Sequence, residues 1–237
     1  MRVSGRADAG APVVLVHGIG MSHRYFRRLA AALRRRRTVI VVDLPGHGAS
    51  PKPGRDVDVG EMARALAVVL AETGAGGCVL VGHSMGAQWV VETALQAEEL
   101  VSRVVVIGPV VDDAHRTVFA QMRALAVDCL REPPRVNVVV FTDYLRCGVR
   151  WYLTQLRHMM TYPTEDRVAR LRQPLLVLRG ERDPIADVRW GRALAARTAD
   201  GRFAQVGGAA HVAQSTAPLA VAARILTFAP SPDRAVS

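Results

Sequence analysis

Three side chains, far apart in the chain, have the types that nucleophilic catalysis needs. Ser84 lies in Gly82-His83-Ser84-Met85-Gly86, directly after the apolar run Cys78-Val79-Leu80-Val81. A Gly-x-Ser-x-Gly sequence between a strand and a helix makes a tight turn that lifts one hydroxyl clear of the backbone. Gly82 and Gly86 lack Cβ atoms, so strand and helix can close on each other around the serine. A serine hydroxyl becomes an effective nucleophile only when a base removes its proton. His211 ends Gly207-Gly208-Ala209-Ala210-His211, a loop of small residues able to present an imidazole. Such a base needs an acid to fix its tautomer and stabilise its charged form. Asp183, in Gly180-Glu181-Arg182-Asp183, is the candidate. The chemistry of such a set is acyl transfer through a covalent intermediate.

Each residue also has a plainer reading. The serine can sit in an ordinary turn. Asp183 can merely cap the helix after Pro184, in which case Asp112 and Asp113 are the substitute acids. His83 lies beside the nucleophile, and His23, His115 and His158 fall on expected helices or in an inserted segment.

The elements that must position these groups are legible as apolar runs. Strands are expected at Pro12–Val16, Thr38–Asp43, Cys78–Gly82, Val104–Ile107, Pro174–Leu178 and Phe203–Val206. Helices are expected at about Ser22–Arg36, Val57–Thr73, Met85–Gln96, Arg189–Ala199 and Ala217–Phe228. The strands are apolar throughout rather than alternating, the pattern of a parallel sheet covered on both faces. Sites in such sheets lie at the carboxyl ends of the strands, where His17, Asp43, Ser84 and Asp183 all fall. Between Ile107 and Pro174 no sheet strand is evident. Phe119–Leu130 and Arg150–Met160 have helical character, so residues 112–173 are expected to form a helical cap on a single domain with core 1–111 and 174–237.

Composition narrows the classes. At 237 residues, half of them hydrophobic, the chain is long enough for one substantial core. No apolar run reaches the roughly 18 residues that span a bilayer. No apolar stretch like that of a signal peptide follows Met1, so a cytoplasmic location is the expectation. The net charge of +10 is spread widely. Its one dense run, Arg34–Arg37, reads as a solvated helix end favoured by the helix dipole, and no nucleic-acid partner is expected. Cys78, Cys129 and Cys147 have no zinc spacing and read as buried thiols.

Taken together, His17-Gly18, Asp43-Leu44-Pro45-Gly46-His47-Gly48-Ala49-Ser50 and the three motifs around Ser84, Asp183 and His211 resemble the α/β-hydrolase family, in its serine hydrolase branch. The resemblance covers both halves of the chain in family order. The family's opening antiparallel hairpin is absent or reduced here, since only about a dozen residues precede the first clear strand. The resemblance implies a mostly parallel central sheet with helices on both faces and an inserted helical cap. It also implies structural roles for His17 and His47. The negative oxygen of a tetrahedral intermediate needs preplaced donors. The backbone N–H of Met85 is one, and the turn after His17-Gly18 supplies the other, from Ile19 or alternatively Gly20.

The expected activity is a carboxylesterase-like serine hydrolase acting on an ester, thioester or lactone of a small, largely apolar substrate. Non-hydrolytic acyl transfer, perhydrolysis, cyclisation and non-catalytic ligand binding are the alternatives on the same scaffold. Family members with aspartate at the elbow, the haloalkane dehalogenases and epoxide hydrolases, are excluded by Ser84. Val212 replaces the tryptophan that carbon–carbon hydrolases often carry after the histidine. The chain has no dinucleotide loop, P-loop or zinc helix, and the mechanism as read requires no metal and no organic cofactor. The cap should set specificity, with Tyr144, Trp151, His158 and Met159 as candidate pocket residues.

Overall fold

A computed structural model describes residues 2–4, 10–111, 117, 123, 127–128 and 131–229. The apolar runs pair into one seven-stranded sheet: β1 (Arg2–Ser4), β2 (Val13–Val16), β3 (Val39–Val42), β4 (Cys78–His83), β5 (Val101–Ile107), β6 (Leu175–Gly180) and β7 (Gly201–Val206), in the order β1-β3-β2-β4-β5-β6-β7. Six strands are parallel; β1 alone is antiparallel, with Val3 opposite Ile40. β1 is a three-residue strand on the sheet edge.

Period-two alternation splits each strand between two cores. Val14, Val16, Leu80, Val104 and Val177 face α2 (Val59–Glu72), α3 (Gly86–Gln96) and α7 (Val188–Ala196). Val13, Leu15, Val79, Val81, Val105 and Leu178 face α1 (Arg27–Leu33) and α8 (Pro218–Phe228). Both faces of the central sheet are therefore dry, which is why β2, β3 and β4 carry no polar alternation, whereas β7 at the edge exposes Arg202 and Gln205. Helix ends follow local chemistry. α2 starts at Val59 rather than Val57 because Asp58 caps it, with Glu61 closing a reciprocal capping box. The first expected helix begins instead as a short 3-10 turn, His23–Phe26, capped by Ser22. Of the arginine run, Arg34–Arg36 are exposed, but Arg37 is buried.

Between β5 and β6 the described residues are helical: α4 (Pro134–Cys147), α5 (Val149–Thr161) and α6 (Thr164–Val168). Of the expected helix over 119–130 only 123, 127 and 128 are described, all three helical, while the acids Asp112 and Asp113 lie outside the described residues, as does Cys129. α4 is not among the helices expected from sequence. Pro133-Pro134 reads as a breaker, yet a proline is well suited to the first turn of a helix, and Pro134 occupies it. The valines at 136 and 138–140 also weaken the helical signal. Cys78 and Cys147 are buried and free, with burial pushing their thiols up to about 12 and about 11. Among the described residues no helix is long and apolar enough to cross a membrane.

Candidate active site

β4 ends at His83, and the next residue carries the strain. Ser84 has φ 56, a left-handed conformation that a non-glycine residue adopts rarely. Its N–H donates to the Ile107 carbonyl of β5 at 2.9 Å, which ties the turn to the sheet. The two flanking glycines are sterically required. A Cβ on Gly82 would run into the Gly86 carbonyl, and one on Gly86 would strike the backbone oxygens of Val16 and His17. The helix behind the serine thus packs backbone to backbone against β4 and the end of β2.

The loop after β7 brings His211 to this edge. Its Nδ1 pairs with Asp183 Oδ2 at 3.0 Å, and both side chains are buried. Asp183 is itself fixed, because its Oδ1 accepts from the N–H groups of Ile185 (2.8 Å) and Ala186 (3.0 Å). The Arg179 guanidinium holds the same turn by donating to the carbonyls of Ala186, Glu181 and Asp183. Burial alone would raise the Asp183 carboxyl, but the adjacent His211 and these hydrogen bonds outweigh it and hold the group below its ordinary range. Burial likewise pushes His211 down, while Asp183 first, then Asp128 and Glu132, bring it above 6.5. Gly108, at φ 56, leaves the space for this pair: a Cβ there would stand 2.8 Å from His211 Cε1 and 3.1 Å from Asp183 Oδ2.

Nδ1 engaged with Asp183 leaves Nε2 of His211 as the nitrogen free to act. Ser84 and His211 line one cavity of about 400 Å³. Neither the Ser84 hydroxyl nor His211 Nε2 has a hydrogen-bond partner among the described residues. The N–H groups of Ile19 and Met85 also lack a protein acceptor among the described residues, although both residues are buried. Buried N–H groups without acceptors are rare.

Three other histidines are engaged in contacts of their own, and His115 lies outside the described residues. His17 bonds to the Gly18 carbonyl through Nδ1 (2.8 Å) and accepts from the Leu44 N–H through Nε2 (3.2 Å). His47 packs on it, with ring centroids 4.7 Å apart, and burial drops its pKa to about 3. His83 is held by the His211 carbonyl at 3.1 Å and is pushed well down by burial and by His211.

Of the four pocket candidates, Tyr144 and Met159 line the cavity; Trp151 and His158 do not. Trp151 covers the turn at Gly46, where a Cβ would meet its indole, and its ring stacks edge-on against His47. His158 binds Asp56 at 2.7 Å on the outer side. Helix geometry explains the correction. Positions 152, 156 and 159 share one face of α5, and 151, 155 and 158 share the next, about 100° round. Once Tyr152, Leu156 and Met159 face the cavity, Trp151 and His158 must face the loop at residues 43–57.

Sequence reasoning missed two acids. Asp128 Oδ1 accepts from the His211 N–H at 3.0 Å, and Glu132 Oε1 accepts from the Val212 N–H at 2.9 Å. Both line the cavity, and burial raises both carboxyls. Their i, i+4 spacing in an otherwise apolar and basic segment was the available signal. Among the described residues no group of His, Cys, Asp and Glu is arranged to hold a metal ion.

A sequence model of the alpha/beta hydrolase fold matches residues 11–128, the stretch that carries the elbow. The chain belongs to the α/β-hydrolase fold family. Among curated relatives, it is 36% identical over 126 residues to the sn-1-specific diacylglycerol lipase ABHD11 of Danio rerio, covering 51% of this chain but 39% of that protein. The chain thus spans well under half the length of that relative. It is 26% identical over 235 residues to the putative carbamate hydrolase RutD of Azorhizobium caulinodans, covering 89% of this chain and 88% of that one. Among α/β-hydrolase structures, an esterase from Thermogutta terrifontis superposes with a TM-score of 0.81 at 22% identity, over 96% of this chain and 91% of its own. The enol-lactonase from Burkholderia xenovorans LB400 gives 0.80 at 20% identity, over 96% and 94%. These structural likenesses establish the fold.

Proposed function

We propose that this α/β hydrolase is a serine hydrolase that cleaves a carboxylic ester, thioester or lactone of a small, largely apolar substrate. The observation that carries the reading is the buried Asp183–His211 pair opening onto the same cavity as a serine held at φ 56. In this reading the Ser84 hydroxyl attacks the carbonyl carbon while His211 Nε2 takes its proton. The carbonyl π electrons move to oxygen, where the Ile19 and Met85 N–H groups receive the charge. Collapse of the intermediate expels the alcohol, thiol or ring oxygen, which receives the proton from His211. Water, deprotonated by His211, then attacks the acyl-serine and releases the acid. Asp183 stays ionised throughout and stabilises the imidazolium. Residues 112–173 act as the cap that shapes the cavity. Esterase, lactonase and lipase names among the relatives agree with this class of reaction.

A fluorophosphonate probe tests it. Labelling is expected at Ser84 and lost in Ser84→Ala, together with hydrolysis of short acyl esters. Folded wild-type protein that neither labels nor hydrolyses any ester, thioester or lactone in a graded panel would overturn the reading.

A further inference from the structure

Seven large hydrophobic side chains are exposed among the described residues, and five of them stand on two adjacent helices of the insert. They are Val138 (65%), Phe141 (65%) and Leu145 (68%) on α4, and Val149 (75%) and Leu153 (55%) on α5. Their spacing is helical: 138, 141 and 145 share one face of α4, and 149 and 153 one face of α5. The adjoining faces line the cavity, through Val140 and Tyr144 from α4 and Leu156 and Met159 from α5. Leu153 belongs to both sets, being half exposed yet part of the cavity lining. The apolar face therefore runs up to the cavity mouth.

The charge beside this face is of one sign. Arg135, Arg146 and Arg150 are exposed on the same two helices, and none has an acidic partner among the described residues. Arg157, further along α5, is paired with Asp56. An apolar helical face flanked by arginines is the pattern of a helix that lies in a lipid interface. A two-fold contact with a second copy would set the same arginines against one another, and the chain as a whole carries +10. An anionic lipid surface complements both the apolar stripe and the charge.

We propose that the outer face of α4 and α5 docks on an anionic lipid surface and presents the cavity mouth at Leu153 to it, so that an acyl lipid enters the Ser84 cavity from the interface. The docking stands on the surface alone; the assignment of acyl lipids as substrate rests on the hydrolase reading above.

Co-sedimentation with lipid vesicles tests the docking. Wild type and Ser84→Ala should both bind vesicles rich in phosphatidylglycerol and bind phosphatidylcholine vesicles more weakly, with binding falling as salt rises. The triple variant Phe141→Ser, Leu145→Ser, Val149→Ser should lose about ten-fold or more of this binding. It should still hydrolyse a soluble short-chain ester at the wild-type rate and lose activity on the same acyl group presented in vesicles. Arg146→Gln with Arg150→Gln is the second variant, expected to weaken binding to anionic vesicles about five-fold per arginine. An active enzyme that ignores both vesicle types overturns the proposal. So does vesicle binding unchanged in both variants, or a dimer broken by the triple variant without vesicle binding, which would make the face a contact between copies. A protein that binds vesicles through this face but turns over no ester would refute the hydrolase reading and leave the docking intact.

Discussion

Ser84 stands on strand ends whose backbone is pinned on both sides, whereas the facing wall of its cavity comes from helices that reach the sheet through a few long side chains. On the sheet side the contacts are backbone to backbone: Ser84 N–H on the Ile107 carbonyl, Gly86 against the oxygens of Val16 and His17. On the insert side they are reaches. Gln155 donates to the Val57 carbonyl at 2.9 Å, and Gln88 of α3 donates to that of Met159 at 3.0 Å. Glu92 takes Tyr162 and both arms of Arg167. Ser22 and Arg24 meet Asp143. The first kind of wall admits no extra atom; the second can lose one contact and keep its shape. On the proposed mechanism, reactivity is held by main-chain geometry and selectivity by side chains, so the two can vary separately.

The sharpest test of that division lies at the acid. Asp183→Asn keeps the packing but inverts the hydrogen bond that sets the tautomer of His211, and kcat should fall about 10⁴-fold with stability little changed. Steady-state kinetics with denaturant melts separates the two. Next comes acid stability. His17, His47 and His83 are held neutral by burial, with folded-state pKa values below 6.5. The unfolded chain therefore binds more protons as pH drops below 6.5, and stability should fall by up to about 1.4 kcal/mol per pH unit for each of the three. His211, raised by its acids, acts in the opposite sense and loses its contribution as pH climbs through its folded value. Urea midpoints between neutral and mildly acidic pH report the sum.

Gly86→Ala is the third break. Its methyl has only backbone to move, so the cost should reach the upper end of the overpacking range, about 3 kcal/mol. An insert-side change of similar size, such as Gln155→Ala, should cost about 1–2 kcal/mol, the penalty for leaving the Val57 carbonyl without its partner. Equal losses would erase the distinction between the walls. A kinetic rather than a stability effect is expected at the two acids that bridge the walls. Asp128→Ala with Glu132→Ala frees the N–H groups of His211 and Val212 and should lower kcat by about 10²-fold at most, with KM less affected. Asn and Gln at these positions keep an acceptor and should restore most of the rate. With fewer negative charges around His211, the acid limb of kcat/KM should then move to lower pH.

The strand ends were legible because their chemistry is local. Ser84 is announced by two glycines within two residues, and Asp183 and His211 each by a strand and a turn. The insert was not, because its contacts are long-range. Nothing near Trp151 in sequence shows that Gly46, over a hundred positions earlier, leaves a socket for its indole. Nothing near Asp128 points to an N–H at 211. α4 opens on two prolines and exposes an apolar face, so neither its start nor its period resembled a packed helix. Gly108 was equally silent, since the groups that need its missing Cβ come from two other loops.

The His83 ring lies 4.7 Å from that of His211, close enough to look like a spare. Its position forbids that use. Nε2 is committed to the carbonyl of its neighbour, and the surrounding dryness denies it a second proton. On the proposed mechanism, the variant His211→Ala therefore has no internal understudy for the lost base. Turnover should return only when free imidazole from the buffer diffuses into the emptied space, and saturation of that rescue would measure how well a small guest fits where the side chain had been.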